Sequence, residues 1–177
     1  DQRERIPDCL IAIDSSGSMP NPARGLSHAV LGAGCAADAY LREGARVGVV
    51  NFSDAVEGDE AVLGYTRDRR KVFEALSRYF QGGSMPNLER LKGLLKPDSD
   101  LLMITDMALE NLKELIAYLQ GVANRVTVIY MGPNEYSVEF GASAKDRPNI
   151  TLYSVRSQED IPKIVLGKVK RDLKVGG

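Results

Sequence analysis

Short apolar runs rich in β-branched residues recur along this chain, separated by longer stretches whose apolar positions fall at helical spacing. Residues 9–13 (C-L-I-A-I), 46–52 (R-V-G-V-V-N-F), 101–105, 125–130 and 149–155 are continuous rather than alternating runs. That is the pattern of strands buried on both faces of a parallel sheet. Between them, residues 21–43 are Ala-rich and stop at Gly44, which predicts a helix. Val72, Phe73, Leu76, Tyr79 and Phe80 form a stripe at helical spacing. So do Leu88, Leu91 and Leu95, and so do Leu109, Leu112, Ile116 and Leu119. Near the end Val165, Val169 and Leu173 share one face, while Lys163, Lys170, Arg171 and Lys174 lie off it as a solvated basic face. Residues 60–63 read as a short edge strand. The order predicts one α/β domain over 1–177, with a doubly wound, mostly parallel sheet, helices on both faces and one short antiparallel edge strand.

Length and charge narrow the functional classes. A chain of 177 residues can bury a sufficient core without disulfides. Its formal net charge of −1 lacks the basic excess of a dedicated nucleic-acid binder. No apolar run approaches the roughly 20 residues that cross a bilayer. The charged first residues are not a signal peptide, and the absence of an initiating Met reads as a piece cut from a longer protein. Cys9 and Cys35 read as small buried residues, with a bridge between them the less favoured alternative, and the lone His28 cannot supply a multi-histidine zinc site.

In a doubly wound sheet ligands bind at the carboxyl ends of the strands, so the residues just after each strand carry the candidate chemistry. Asp14-Ser15-Ser16-Gly17-Ser18 follows the first run, Thr105-Asp106 follows the fourth strand region, and Gly82-Gly83-Ser84 precedes a central helix. Alternate residues of an extended segment point the same way, so Asp14, Ser16 and Ser18 can converge while Gly17 lets the backbone bend. Their oxygens are hard donors suited to Mg²⁺ or Mn²⁺. The string Gly17-Ser18-Met19-Pro20-Asn21 recurs as Gly83-Ser84-Met85-Pro86-Asn87. Both copies predict a Gly-Ser turn followed by a proline in the first turn of a helix. Taken singly, Ser15, Ser16, Ser18 and Ser84 read better as turn and cap residues. Asp14 and Asp106 are different, because an acid ending a buried strand is costly without compensation, and two facing one crevice call for a cation between them.

These residues carry a resemblance. Asp14-x-Ser16-x-Ser18 is similar to the D-x-S-x-S signature of von Willebrand factor type A (VWA) and integrin I-type domains. Asn51-Phe52-Ser53-Asp54 resembles their F-S-D turn, and Ile104-Thr105-Asp106 the I-T-D of their metal ion-dependent adhesion site. The resemblance spans nearly the whole chain. It implies that Asp14, Ser16, Ser18, Ser84 and Asp106 hold Mg²⁺ or Mn²⁺, and that an open coordination position takes an Asp or Glu carboxylate from a protein partner. It further implies an intracellular, prokaryotic setting in a larger protein working with an AAA+ ATPase. Ser84 stands where the family usually has Thr, without the methyl that restricts the rotamer. Met107 replaces a small residue, and is expected to crowd the site or form an apolar rim.

Other functional classes compete with this one. A serine hydrolase lacks both a G-x-S-x-G elbow and a well-placed base, since His28 follows the serine cluster on the same predicted helix. A Mg²⁺-dependent phosphotransfer enzyme with Asp14 as nucleophile remains open, as does a metal-free scaffold. Gly32-Ala33-Gly34-Cys35-Ala36-Ala37 matches a dinucleotide fingerprint in letters only, because it falls inside a predicted helix, and reads as close packing.

Overall fold

The computed structural model describes residues 6–17, 19, 21–54, 58, 60–132, 135–169 and 171. The predicted strands all form: β1 is Cys9–Asp14, β2 Val47–Phe52, β3 Glu60–Thr66, β4 Asp100–Thr105, β5 Val126–Met131 and β6 Ile150–Val155. They build one sheet in the order β3-β2-β1-β4-β5-β6, parallel throughout except that β3 runs antiparallel to β2. The edge strand is longer than the expected 60–63, because the register shifts where Gly64 and Tyr65 face Gly48 and pairing with β2 resumes at Thr66 opposite Val47.

Helices cover both faces. On one side lie α1 (His28–Arg42), α2 (Arg69–Leu76) and α6 (Asp160–Ile164), which runs on into a π-helical turn over Val165–Val169. On the other lie α3 (Leu88–Leu94), α4 (Leu112–Gln120) and α5 (Glu135–Ala144). Side chains alternate across the sheet and so feed two cores. Cys9, Ile11, Ile13, Val47, Val49, Leu102 and Ile104 pack under the first layer, and Leu10, Ala12, Val50, Phe52, Leu101 and Met103 under the second. The continuous apolar runs are thus explained: strands β1, β2 and β4 are buried at every position. Along α1 the small residues serve close packing. A Cβ on Gly32 would stand 2.5 Å from Ile161 Cγ2, so α6 rests almost on the α1 backbone there.

Several boundaries differ from expectation, each for a local reason. The first helix starts at His28 and not at Asn21, because Ser27 caps it by accepting from Val30 N, while Asn21 closes its own turn by accepting from Ala23 N. The stripe continuing to Tyr79 and Phe80 leaves the helix after Leu76. Asn51 Nδ2 reaches across to the carbonyls of Ala75 and Arg78 and takes up the end of that turn. Leu109 precedes α4, and Leu95 is the C-cap of α3. Pro86 lies ahead of the helical turn in which it was expected, since Asn87 is the N-cap of α3; Pro20 lies outside the described residues. Helix α5 was not anticipated. Its sequence E-Y-S-V-E-F-G-A-S-A buries only Ser137, Phe140 and Ala144 and leaves Val138 exposed, so no apolar stripe announces it. Cys9 and Cys35 are free thiols, Cys9 buried and Cys35 half-buried. His28 is half-buried at the start of α1, as a packing histidine would be.

Candidate metal centre

Strand order determines where a ligand can sit. The chain leaves β1 through α1 to β2 on one side, then returns after β3 and α3 to β4 on the other side of β1. The carboxyl ends of β1 and β4 therefore flank the switch point of the sheet, where the helical connections diverge and leave a crevice. Asp14 is the last residue of β1 and Asp106 follows the last residue of β4.

Asp14 is almost fully buried. Its Oδ1 accepts the Ser16 amide at 2.8 Å, and its Oδ2 accepts the Thr105 hydroxyl at 2.9 Å and the Ser84 hydroxyl at 3.3 Å. Burial pushes the Asp14 carboxyl above its ordinary value; the Ser16 hydroxyl and amide pull it back, the nearby Asp106 charge raises it again, and the Thr105 hydroxyl lowers it. All its described hydrogen-bond donors are neutral. Four of the five residues expected in the site are thus brought to one crevice, namely Asp14, Ser16, Ser84 and Asp106. Ser18 lies outside the described residues. Ser15 turns the other way and donates its hydroxyl to Phe52 O at 3.2 Å, as a turn residue tying β1 to β2.

Two loops carry an unusual backbone. Gln81 and Met107 both have positive φ, at 61° and 68°, a region that costs a side-chain-bearing residue roughly 1–2 kcal/mol. Gln81 introduces the Gly82-Gly83-Ser84 segment, and its amide donates to Ser15 O at 3.1 Å. Met107 neither crowds the crevice nor rims it. Its left-handed backbone turns the side chain into the second core, where it is completely buried, while its amide donates to Thr105 Oγ1 at 3.1 Å. Asp106 closes the same turn by accepting from Ala108 N at 3.0 Å.

Residues beyond the five expected in the site also build this crevice. Thr105 touches Asp14 directly. Ser53, just past β2, donates to Gly83 O at 2.7 Å, and Asn111 Nδ2 donates to Pro86 O at 2.9 Å. Asp54 and Glu110 close on Gly83, where an added Cβ would lie 3.0 Å from Asp54 Oδ2 and 3.4 Å from Glu110 Oε1. Ser53, Asp54 and Thr105 were marked by the F-S-D and I-T-D elements, whereas Glu110 and Asn111 had no sequence signal beyond their position just before a helix.

The donor set is chemically consistent with a hard divalent ion. Among the described residues no three His, Cys, Asp or Glu side chains converge, so a cation here would be held by two carboxylates supplemented by hydroxyls. Such a set suits Mg²⁺ or Mn²⁺ and not zinc.

No family profile and no curated protein sequence matches the chain. Solved structures do. An aerotolerance-related membrane protein from Bacteroides fragilis NCTC 9343, carrying multiple mutations to serine, is 15% identical with a TM-score of 0.60, over 93% of this chain and 99% of its own. The SpRpn10 VWA domain is 16% identical with a TM-score of 0.57, over 88% and 93%. A mutant of the PilB minor pilin from Streptococcus sanguinis is 10% identical with a TM-score of 0.59; this chain spans 64% of it. At such identities the likeness speaks for the path of the backbone alone. The mostly parallel six-stranded sheet, its single antiparallel edge strand and its two helical layers are those of a VWA-like α/β fold.

Proposed function

We propose that this chain is a non-catalytic interaction module that binds an acidic residue of a protein partner through a divalent metal, Mg²⁺ or Mn²⁺. Asp14, Ser16, Ser84 and Asp106 would hold the metal, joined by Ser18. The observation that carries this reading is the meeting of oxygens from three separated segments at the switch point, with the Asp106 charge acting on a buried Asp14. A carboxylate so placed is electrostatically uncomfortable until a cation joins it.

When bound, the metal would supply residual positive charge at an open position, which favours an anionic ligand from a partner. The protein's own groups do the rest. The Ser16 amide and the Thr105 hydroxyl orient the Asp14 carboxylate, while the buried surroundings strengthen each electrostatic contact. By resemblance, the partner belongs to an AAA+ ATPase system inside the cell.

A phosphotransfer reading with Asp14 as nucleophile is weakened by the same geometry. Both oxygens of Asp14 accept hydrogen bonds, and only 2% of the residue is exposed. Mg²⁺-dependent turnover of a phosphate ester that is lost in Asp14→Asn would reverse that choice.

Thermal melting tests the metal. At free Mg²⁺ about a hundredfold above its Kd, the native state gains about 2.7 kcal/mol. For a chain of this size the melting temperature then rises by roughly 5–10 °C. Asp14→Asn and Asp106→Asn should each remove the rise. No shift at millimolar Mg²⁺ or Mn²⁺ would instead favour a metal-free scaffold. Capture of partners from the source cell, with Mg²⁺ and with EDTA, then tests the bridge; identical captures argue against it.

A further inference from the structure

The segment 82–86 is held from three directions through its own carbonyls. Gly82 O accepts from Gly17 N at 3.0 Å, Gly83 O from Ser53 Oγ at 2.7 Å, Ser84 O from Glu110 N at 2.8 Å, and Pro86 O from Asn111 Nδ2 at 2.9 Å. Ser53 is distinct in gripping both sides of Ser84. Its hydroxyl takes the preceding carbonyl, while its own carbonyl accepts the amide of Met85, the following residue, at 2.7 Å.

Ser53 has no solvent exposure. A hydroxyl in that position costs free energy unless it is bonded, and among the described residues its partner is Gly83 O, on the loop that carries Ser84. The plain alternative is a turn serine that satisfies one stray carbonyl. Two features weigh against it. Ser84 has no β-branch to restrict its rotamer, so the direction of its hydroxyl depends on the backbone beneath it. Its contact with Asp14 Oδ2 is already long at 3.3 Å, so a small displacement of the segment would break it.

We infer that Ser53 is the positioning residue that aims the Ser84 hydroxyl at the Asp14 carboxylate and thereby sets the affinity of this crevice for its cation. The inference rests on the cation-binding reading given above. Ser53 does not touch the cation; it acts through Ser84.

Binding of Mn²⁺ to the purified chain, followed by the loss of the free-ion electron paramagnetic resonance signal, tests this. Ser53→Ala is expected to weaken Mn²⁺ binding by about tenfold to a hundredfold, the range for groups that orient metal ligands. Ser84→Ala should weaken it similarly, and the double variant should be little worse than either single one, because both remove the same hydroxyl from the site. Ser53→Thr, which keeps the donor, should retain most of the affinity. Should Ser53→Ala fail to fold, Ser53→Cys keeps the volume with a weak donor and should still lose affinity. Independent, multiplying losses in the double variant would overturn the inference, as would affinity within about twofold of the parent in Ser53→Ala or, where that variant fails to fold, in Ser53→Cys. If the parent chain takes up no Mn²⁺, the cation reading itself fails, and this inference with it. If the parent binds and Ser53 proves indifferent, the inference alone fails.

Discussion

The two ends of the sheet treat their carboxylates in opposite ways. At the amino-terminal edge Asp8 accepts Lys96 Nζ at 2.5 Å and the Arg46 amide at 2.8 Å, and Asp100 accepts both Tyr40 OH and Arg125 at 2.6 Å. Lys96 also stands over the Tyr65 ring at 4.2 Å. At the carboxyl-terminal edge the buried Asp14 is held by hydroxyls and an amide, with a second carboxylate raising its pKa. Burial acts to raise the carboxyl pKa at both ends. For Asp8 the Lys96 ammonium and the Arg46 amide outweigh burial and bring it below its ordinary value; Asp14 stays above. One edge is arranged for stability. The other leaves electrostatic strain in place, which is what a binding site for a cation would do.

The sharpest test of that contrast removes a cation from the amino-terminal edge. Arg125→Met leaves Asp100, which is 6% exposed, with Tyr40 as its remaining described side-chain donor. Breaking a buried pair in this way costs about 3–5 kcal/mol, and the one-third exposure of the Arg125 side chain puts the loss near the lower figure. A melting temperature lower by roughly 6–12 °C is expected. A loss as small as that of a surface pair would mean that this edge is no more stabilising than the other.

Neutralising the opposite edge should have the reverse sign. Asp14→Asn keeps the shape and can still bond Thr105 and Ser84, but removes a buried charge. In EDTA it should stabilise the chain by roughly 1 kcal/mol, while abolishing any response to Mg²⁺. The pH dependence separates the edges further. A carboxyl with a raised folded value contributes stability that is present below its ordinary value of 3.8 and is lost as pH rises through the folded value. The advantage of Asp14→Asn over the parent, read as a difference in melting temperature, should therefore be full near neutral pH and shrink on acidification. Asp8 works the other way: its contribution is present above 3.8 and is lost as pH falls through its depressed value. Lys96→Met should thus cost about 0.5–1 kcal/mol near neutrality, the magnitude of a partly exposed pair, and less in acid. Parallel pH profiles for the two variants would contradict the comparison.

The same contrast explains what could be read from the chain before its fold was known. Strands buried on both faces write themselves as unbroken apolar runs, so β1, β2 and β4 were legible. So was the crevice they define, because Asp14 and Asp106 directly follow such runs. Helix α5 was not, since it leans on the sheet through three residues only and one of these is a serine. The start of α1 was misplaced because Ala-rich composition says nothing of the cap, which Ser27 supplies. Ser53 and Asn111 were invisible in their roles. Each acts through a carbonyl that is 25 or more positions away in sequence, and no local pattern encodes which loops will meet. Met107 was misjudged for a related reason: a left-handed backbone reverses where a side chain points.

Backbone conformation gives the finest version of the comparison. Among the described residues each edge contains a left-handed glycine, Gly44 at the amino-terminal edge and Gly58 past β2 at the other, but only the carboxyl-terminal edge also puts side-chain-bearing residues in that region. Gly44 has φ 83° just past α1 and accepts Arg67 Nε at its carbonyl, whereas the carboxyl-terminal edge places Gln81 and Met107 in that region. An added Cβ at Gly44 meets nothing within 4 Å, so Gly44→Ala isolates the backbone cost and should destabilise by about 1 kcal/mol. At position 81 the exchange runs the other way. Gln81→Gly relieves roughly 1–2 kcal/mol of strain but gives the unfolded chain more freedom, worth about 0.4–1 kcal/mol. A net gain of about half a kcal/mol should remain, a shift of one or two degrees at the limit of a careful melting comparison. If that gain comes with weaker Mn²⁺ binding, the strain at Gln81 is part of how the 82–84 segment is held ready. If stability rises and binding is untouched, the left-handed turn is only the route the chain takes between α2 and the crevice.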